Sequence, residues 1–182
     1  EKICHHFHLS LQSGCDETLK RMNRRYTTEE FMQVVERIRN AYKDAILTTD
    51  IIVGFPGETQ EEFNSTYEFL KEIKFYKMHI FKYSPRKGTK ASQMPNQIDG
   101  NIKEKRSKML IELSTKNEFD YNMNYIEKEV EVLFEENYGG YKGHTKNYIL
   151  VKAETNEILE NKIKKVKIKN AKEEYLEGII VD

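Results

Sequence analysis

The sequence predicts an α/β fold in two parts. Residues 1–119 read as βα units of a parallel sheet or barrel, and residues 120–182 as a small all-β barrel. Two observations carry this. Three short strand-like runs alternate with helical stretches on short connections, each helix following its strand, which is the order that builds parallel sheets and barrels. Near residue 120 the hydrophobic period changes from helical to alternating, and several short strands follow with turn signals between them. The change puts the domain boundary at Asn117–Asn122.

Each element has its own signal. Residues 5–12 alternate Phe7, Leu9 and Leu11 against His6, His8, Ser10 and Gln12. Period two reads as a strand, and Ser13-Gly14 ends it. A short helical stretch follows from Glu17 to Met22. Thr27 with Glu30 three residues later is a capping box. Phe31, Val34, Val35 and Ile38 mark the apolar face of the helix it starts. Ile46 to Val53 is the second strand, broken by Gly54-Phe55-Pro56-Gly57. Thr59 with Glu62 repeats the capping box, and Phe63, Thr66, Tyr67, Leu70 and Ile73 make a second apolar face. Met78 to Tyr83 is the third strand, Ser84 to Thr89 a loop, and 90–101 a polar connection. Ile102 to Lys116 reads as a third helix.

In the second part, Lys128 to Glu136 alternates, with Val130, Val132 and Phe134 on one face. Tyr138-Gly139-Gly140-Tyr141 and Thr155-Asn156-Glu157 read as turns. Tyr148 to Ala153, Lys162 to Lys169 and Tyr175 to Val181 read as strands.

Composition narrows the function classes. Lys and Arg together number 30, as do Asp and Glu, so the formal net charge is zero and any nucleic-acid claim must come from local patches. No apolar run approaches the ~20 residues of a membrane span. Two cysteines in a Lys/Glu-rich chain fit a reducing cytosol better than a disulfide scaffold, so the expected location is cytoplasmic. The chain begins at Glu1 with a strand-like run almost at once, and the expectation is the back half of a longer protein.

The first two strands carry an unusual polar face. Strand faces inside a barrel are usually apolar on both sides. Here His6, His8, Ser10 and Gln12 would line the interior together with Thr48 and Asp50. That costs stability unless a ligand, water or an internal network satisfies it, and a site and a structural network stand as equal readings. Cys4, His6, His8, Cys15 and Asp50 could form a metal constellation, with His6, His8 and Asp50 activating water as in a metal-dependent hydrolase. No C-x-x-C or H-x-x-x-H pattern supports it, and no metal ligand is assigned. Gly54 to Glu58 sits where a strand enters a helix and could approach an anionic ligand. It also reads as no more than a tight βα turn.

Two basic features remain. Lys20, Arg21, Arg24 and Arg25 follow the first strand. With Val166 and Ile168 buried, Lys165, Lys167 and Lys169 form a row on an exposed face, with Tyr138, Tyr141 and Tyr148 near enough in sequence to stack bases. Residues 120–182 nevertheless hold 10 Lys against 13 Asp and Glu, a net charge of −3. The alternative is an edge strand guarded by lysines.

These residues together make a pattern. His8-Leu9-Ser10-Leu11-Gln12-Ser13-Gly14, Leu19 to Arg24, Tyr26-Thr27, Thr48 to Thr59 and Tyr83 to Thr89 resemble the methylthiotransferase family of radical S-adenosylmethionine (SAM) enzymes. The C-terminal part is similar to a TRAM domain, an RNA-binding β-barrel. Phe7 to Gly14, Phe81-Lys82-Tyr83-Ser84-Pro85, Val132 to Glu135 and Gly143 to Tyr148 look most like the subfamily acting on N6-threonylcarbamoyladenosine in tRNA. The resemblance covers essentially the whole chain.

It implies a fold and a chemistry. The α/β part would be the C-terminal half of a partial (βα)6 TIM-like radical SAM barrel, followed by the TRAM barrel. The intact enzyme would hold two [4Fe-4S] clusters, of which the one in the barrel would reduce SAM to a 5′-deoxyadenosyl radical that abstracts hydrogen from C2 of adenosine 37 of tRNA, where sulfur is inserted. A second SAM would supply the methyl group. The chain holds only Cys4 and Cys15, neither in C-x-x-x-C-x-x-C, so it is expected to have no catalytic residue and no activity alone. Carried over by position, SAM would meet Gln12, Ser13, Asp50, Gly54, Tyr83 and Ser84. tRNA would meet Arg24, Arg25, Lys165, Lys167, Lys169 and Tyr148. An unpaired edge on the first strand would favour a homodimer or a reorganised edge. The competing reading is a stand-alone RNA-binding protein.

Overall fold

A computed structural model describes residues 3–137, 141–155 and 157–181. The chain forms two compact units. One comprises Glu1–Phe7, Asp44–Ile46 and Thr115–Asp182, and the other His8–Lys43 and Leu47–Ser114. The architecture is mixed α/β with a closed five-stranded barrel.

The first half runs β1 (His6–His8), α1 (Asp16–Arg21), α2 (Thr28–Ala41), β2 (Ile46–Val53), α3 (Gln60–Ile73), β3 (Lys77–Lys82) and α4 (Gly100–Met123). The three strands form one sheet in the order β1-β2-β3. β2 and β3 are parallel, with Asp50 opposite His79. β1 is shorter than the alternating run suggests. Only three residues are strand, and an isolated parallel bridge rejoins the chain to β2 at Gln12 and Ile51. Between the two the Thr49 hydroxyl takes the ladder's place, donating to the Leu9 carbonyl (2.6 Å) and accepting from the Leu11 N–H (3.0 Å), and Gln12 then turns left-handed at a φ of 71°.

Both capping boxes form as the spacing predicts. Thr27 accepts from the Glu30 N–H, Thr59 from the Glu62 N–H, and each glutamate reaches back to its cap. Behind the sheet, α3 buries Phe63, Thr66, Leu70 and Ile73. Leu11, Leu47, Ile51, Val53 and Phe75 complete this core, none more than 2% exposed. Burial of this apolar surface, at roughly 25 cal/mol per Å², is what holds helices whose own propensity is modest.

Glu62 has a second partner. Arg21 donates to both of its carboxylate oxygens, one N–H···O contact being 2.9 Å. These bonds, led by the Arg21 hydrogen bond and opposed by burial, hold the Glu62 carboxyl below its ordinary 4.5. A carboxyl depressed in the folded state adds stability above its unfolded pKa and loses it as pH falls through the folded value. Stability should therefore fall as pH drops below about 4.5. In Glu62→Gln that acid limb should flatten, at a cost near neutrality of about 1–2 kcal/mol for a bidentate, partly buried pair. Urea titrations of both proteins from pH 3 to 7 measure this, and identical acid limbs would refute it.

α4 is longer than the expected Ile102–Lys116 helix. Its last turns continue through the place where the hydrophobic period changes, because polar residues there are buried: Glu118 is 5% exposed and Asn122 fully buried. Asn122 donates to the Lys172 carbonyl, 3.1 Å away. A helix face closed by buried polar residues carries no apolar signal.

The barrel comprises β4 (Glu129–Asn137), β5 (Tyr141–Thr145), β6 (Leu150–Ala153), β7 (Lys162–Ala171) and β8 (Leu176–Val181), closed in the order β4-β5-β6-β8-β7. Neighbours are antiparallel except β6 and β8. Val132, Phe134, Val151, Val166, Ile168 and Leu176 fill it, each fully buried. Residues 138–140 and 156, parts of the two expected turns, lie outside the described residues.

β5 is a strand that the sequence analysis did not separate from the turn before it. It carries Gly143 at its centre and no β-branched run. Gly143 is there because a Cβ would sit 2.2 Å from the Leu133 carbonyl oxygen of the paired strand. Backbone cannot yield as a side chain can, so Gly143→Ala should destabilise the chain by about 1–3 kcal/mol through overpacking. Thermal unfolding reads this, and an unchanged midpoint would remove the packing account.

Candidate functional site

The polar face of the sheet lies at one register level. The Leu9 N–H donates to the Thr48 carbonyl at 2.9 Å, which brings His8 beside Thr48 and Asp50. The parallel register of β2 and β3 then sets His79 beside Asp50. Side chains at alternate positions share a face, so His8, Asp50 and His79 converge. His8 Nε2 lies 3.1 Å from Asp50 Oδ2, and His79 Nδ1 lies 3.2 Å from Asp50 Oδ1. The two imidazoles stack with centroids 5.9 Å apart. Thr48 Oγ1 is 3.0 Å from His8 Nδ1, and Ser10 Oγ is 3.3 Å from His8 Nε2. Desolvation works to raise the Asp50 carboxyl, but hydrogen bonds from His8 and His79 and their charge outweigh it, so its pKa is lowered.

Next to this cluster is an open pocket of about 410 Å³ lined by Gln12, Asp50, Ile52, Phe81, Lys82, Tyr83, Ser84 and Arg86 together with Thr89 and Ala91. Ligand pockets usually fall at roughly 300–1,000 Å³. It lies where β2 and β3 end and the chain turns toward the helices, the side on which parallel βα folds place their sites. Gln12 reaches it from its left-handed conformation, pinned by its N–H to the Asp50 carbonyl (2.8 Å) and by its carbonyl to the Ile52 N–H (2.9 Å). Backbone strain held this firmly is typical of binding sites. Tyr83 is braced from behind. Lys103 Nζ donates to its carbonyl at 3.0 Å and lies 5.5 Å from its ring centroid, and Phe55 packs on the ring edge-on.

Gln12, Asp50, Tyr83 and Ser84, from the six positions expected to meet SAM, thus share one pocket. Ser13 and Gly54 do not line it. Ser13 is 1% exposed, with its hydroxyl 3.2 Å from that of Thr66. The Gly54 N–H donates to Glu58 Oε2 at 2.7 Å, so the carboxylate occupies the donor that a ligand would use. Glu58 in turn is buried against Arg106, 2.5 Å away. Burial pushes the Glu58 carboxyl up, against the lowering pull of the Gly54 N–H and Arg106.

The cysteines do not fit an iron–sulfur cluster. Such clusters are held by several thiolates. Cys15 is buried, its thiol raised first by that burial, and it donates to Glu17 Oε2 at 3.1 Å. Cys4 is the one other cysteine. The metal constellation expected around His6 is also rearranged. Among the described residues the group able to share one ion is His8, Asp50 and His79. His6 belongs to the other unit, where its ring lies 5.3 Å from that of Tyr148. In the sequence His79 stands out only as part of the third strand; its signal is a polar residue on the interior face, the same signal that singles out Asp50.

Among the residues expected to meet RNA, Arg24 and Arg25 are exposed on the turn after α1. Lys165 and Lys169 are exposed on β7, as the alternation predicts. Glu127 takes hydrogen bonds from Lys169 (2.9 Å) and pairs with Lys167 (3.0 Å), and Glu129 and Glu131 stand opposite Lys167 and Lys165. Tyr148 is 58% exposed and stacks on His144 at 4.4 Å. No helix among the described residues is long and apolar enough to cross a membrane.

Residues 1–70 match the Radical SAM superfamily. Over its whole length the chain is 41% identical to the threonylcarbamoyladenosine tRNA methylthiotransferase MtaB of Bacillus subtilis, of which it covers 42%. It is 45% identical, again over its whole length, to the "Probable threonylcarbamoyladenosine tRNA methylthiotransferase" of Methanocaldococcus jannaschii, covering 41%. Along its whole length the chain is thus similar in sequence to radical SAM methylthiotransferases. A tRNA-2-methylthio-N(6)-dimethylallyladenosine synthase from Caldicellulosiruptor saccharolyticus is 37% identical across the whole chain, 39% of that protein being covered. The chain therefore spans about two-fifths of the length of these curated relatives. The superfamily matched by residues 1–70 implies SAM and iron–sulfur chemistry.

Proposed function

We propose that this chain serves an enzyme that adds a methylthio group to C2 of N6-threonylcarbamoyladenosine at position 37 of tRNA. The observation that carries the reading is the pocket of Gln12, Asp50, Tyr83 and Ser84 at the strand ends of a radical SAM sequence. The threonylcarbamoyl substrate is favoured by the 41% and 45% identities to relatives named for it.

Residues 1–119 are proposed as the last part of a partial (βα)6 barrel and 120–182 as a TRAM-like barrel. The pocket's donor set suits SAM. Phe81 and Tyr83 offer ring faces for adenine, Gln12 and Ser84 polar groups for ribose, and the Arg86 guanidinium a partner for a carboxylate. Bound SAM supplies the radical that starts the reaction and the methyl group that ends it. This chain's residues bind and orient it, while the iron–sulfur ligands are proposed to come from other residues of the enzyme. Arg24, Arg25, Lys165, Lys169 and Tyr148 are proposed to meet tRNA, with phosphates on the cations and a base on the tyrosine. Lys167 and Lys169 would be available only when Glu127 lets go.

The test is methylthiolation by the full-length gene product, read by mass spectrometry of nucleosides from tRNA bearing either threonylcarbamoyl or dimethylallyl adenosine. Product on the threonylcarbamoyl substrate alone supports the reading, and product on the dimethylallyl substrate alone overturns the assignment of substrate. Gln12→Ala should raise the SAM requirement at least about tenfold, the effect of losing one or two polar contacts.

A further inference from the structure

We propose that His8, Asp50 and His79 form a binding site for one divalent transition cation, zinc by donor type. This goes beyond the methylthiotransferase reading, whose metal is a thiolate-held cluster, and does not depend on it. The argument is geometric. A zinc ion bound at 2.0–2.1 Å by tetrahedral ligands sets neighbouring ligand atoms about 3.3 Å apart. His8 Nε2 to Asp50 Oδ2 is 3.1 Å, and His79 Nδ1 to Asp50 Oδ1 is 3.2 Å. One ligand atom from each residue lies within 4.8 Å of the others. Modest rotamer shifts of exposed side chains close the remaining gap.

The chemistry fits as well as the spacing. Two imidazoles and a carboxylate are borderline donors that suit zinc rather than calcium or magnesium, which take oxygen. A ligating imidazole is usually oriented by a hydrogen bond from its other nitrogen. Thr48 Oγ1 is in place for this at 3.0 Å from His8 Nδ1. When zinc takes Nε2, the His8 proton moves to Nδ1 and donates to Thr48. Without the ion, the same atoms form the hydrogen bonds that hold the cluster together. Three protein ligands leave a fourth position for water or for an oxygen or nitrogen donor of a molecule in the adjoining pocket, since Asp50 belongs to both.

The experiment is titration of the metal-free chain with zinc by calorimetry, and with cobalt by visible absorption. One ion per chain and tetrahedral cobalt bands are expected. His8→Ala and His79→Ala should each weaken binding at least about 100-fold, while His6→Ala and His144→Ala leave it unchanged; His144 pairs with Glu135 elsewhere. Should an alanine variant fail to fold, Asp50→Asn gives the same reading with little change in shape. In that case zinc should raise the melting temperature of the parent chain and not of the variant. Absence of binding up to millimolar zinc, octahedral cobalt spectra, or binding that survives His79→Ala would each overturn the site.

Discussion

Arg106→Met should destabilise the chain by about 3–5 kcal/mol, the usual cost of stranding one member of a buried ion pair. Arg106 is 5% exposed and Glu58 3%. The guanidinium donates to both the carboxylate and the backbone carbonyl of Glu58, and packs over the Phe63 ring. Removing it leaves the Glu58 carboxylate with the Gly54 N–H alone. Natural domains hold only about 5–15 kcal/mol in reserve, so a loss of this size should be visible as a shifted urea midpoint. Glu58→Gln/Arg106→Met should recover most of it. The amide keeps an acceptor for Gly54, and no buried charge remains. A single variant as stable as the parent would show that Glu58 reaches water, and the buried-pair account would fall.

Gly54→Val should act on the pocket from a distance. Gly54 has a φ of 70°, which a β-branched residue tolerates poorly. Its new Cβ would lie 2.3 Å from Lys103 Cγ. Lys103 can swing away, but doing so releases the Tyr83 carbonyl and ring that it braces. The expected cost is about 2–3 kcal/mol from backbone strain and displacement. In the full-length enzyme, weaker SAM binding by at least about tenfold should accompany it. Gly54→Val/Lys103→Ala should regain the packing part and not the SAM affinity, because the brace is still missing. Normal SAM affinity in the single variant would separate Tyr83 from the ligand.

Both effects pass through groups whose importance is invisible in the linear pattern. Glu58 and Arg106 are 48 residues apart. Sequence alone reads Glu58 as the acidic end of a βα turn and places Arg106 only within the helix expected from Ile102 to Lys116. What places them together is the packing of α4 behind the turn after β2. The His79 imidazole is the same kind of case. It meets Asp50 only because β2 and β3 pair in one register, and a shift of a single residue would turn it to the opposite face.

Local rules settled much of the rest. The two capping boxes needed only residues three apart, and both formed. The alternation in β4 and β7 put Val132, Phe134, Val166 and Ile168 on the buried face and Glu131, Leu133, Glu135 and Lys165 on the exposed one, as the structure has them. These are consequences of the two backbone periods, which a sequence displays directly.

Tertiary structure alone decided where a strand stops and which charges are spent. β1 ends early because the Thr49 hydroxyl takes the Leu9 carbonyl and the Leu11 N–H that a longer ladder would use. β5 is a strand because Gly143 lets another backbone approach. Lys167 and Lys169 are held by Glu127, a turn residue at a φ of 64° about 40 positions away in the chain. Sequence by itself determined the helices, the alternating faces and the family motifs, because each depends on near neighbours. The pocket's walls and the His8–Asp50–His79 cluster required the fold, because each joins residues from separate strands whose meeting depends on register and packing.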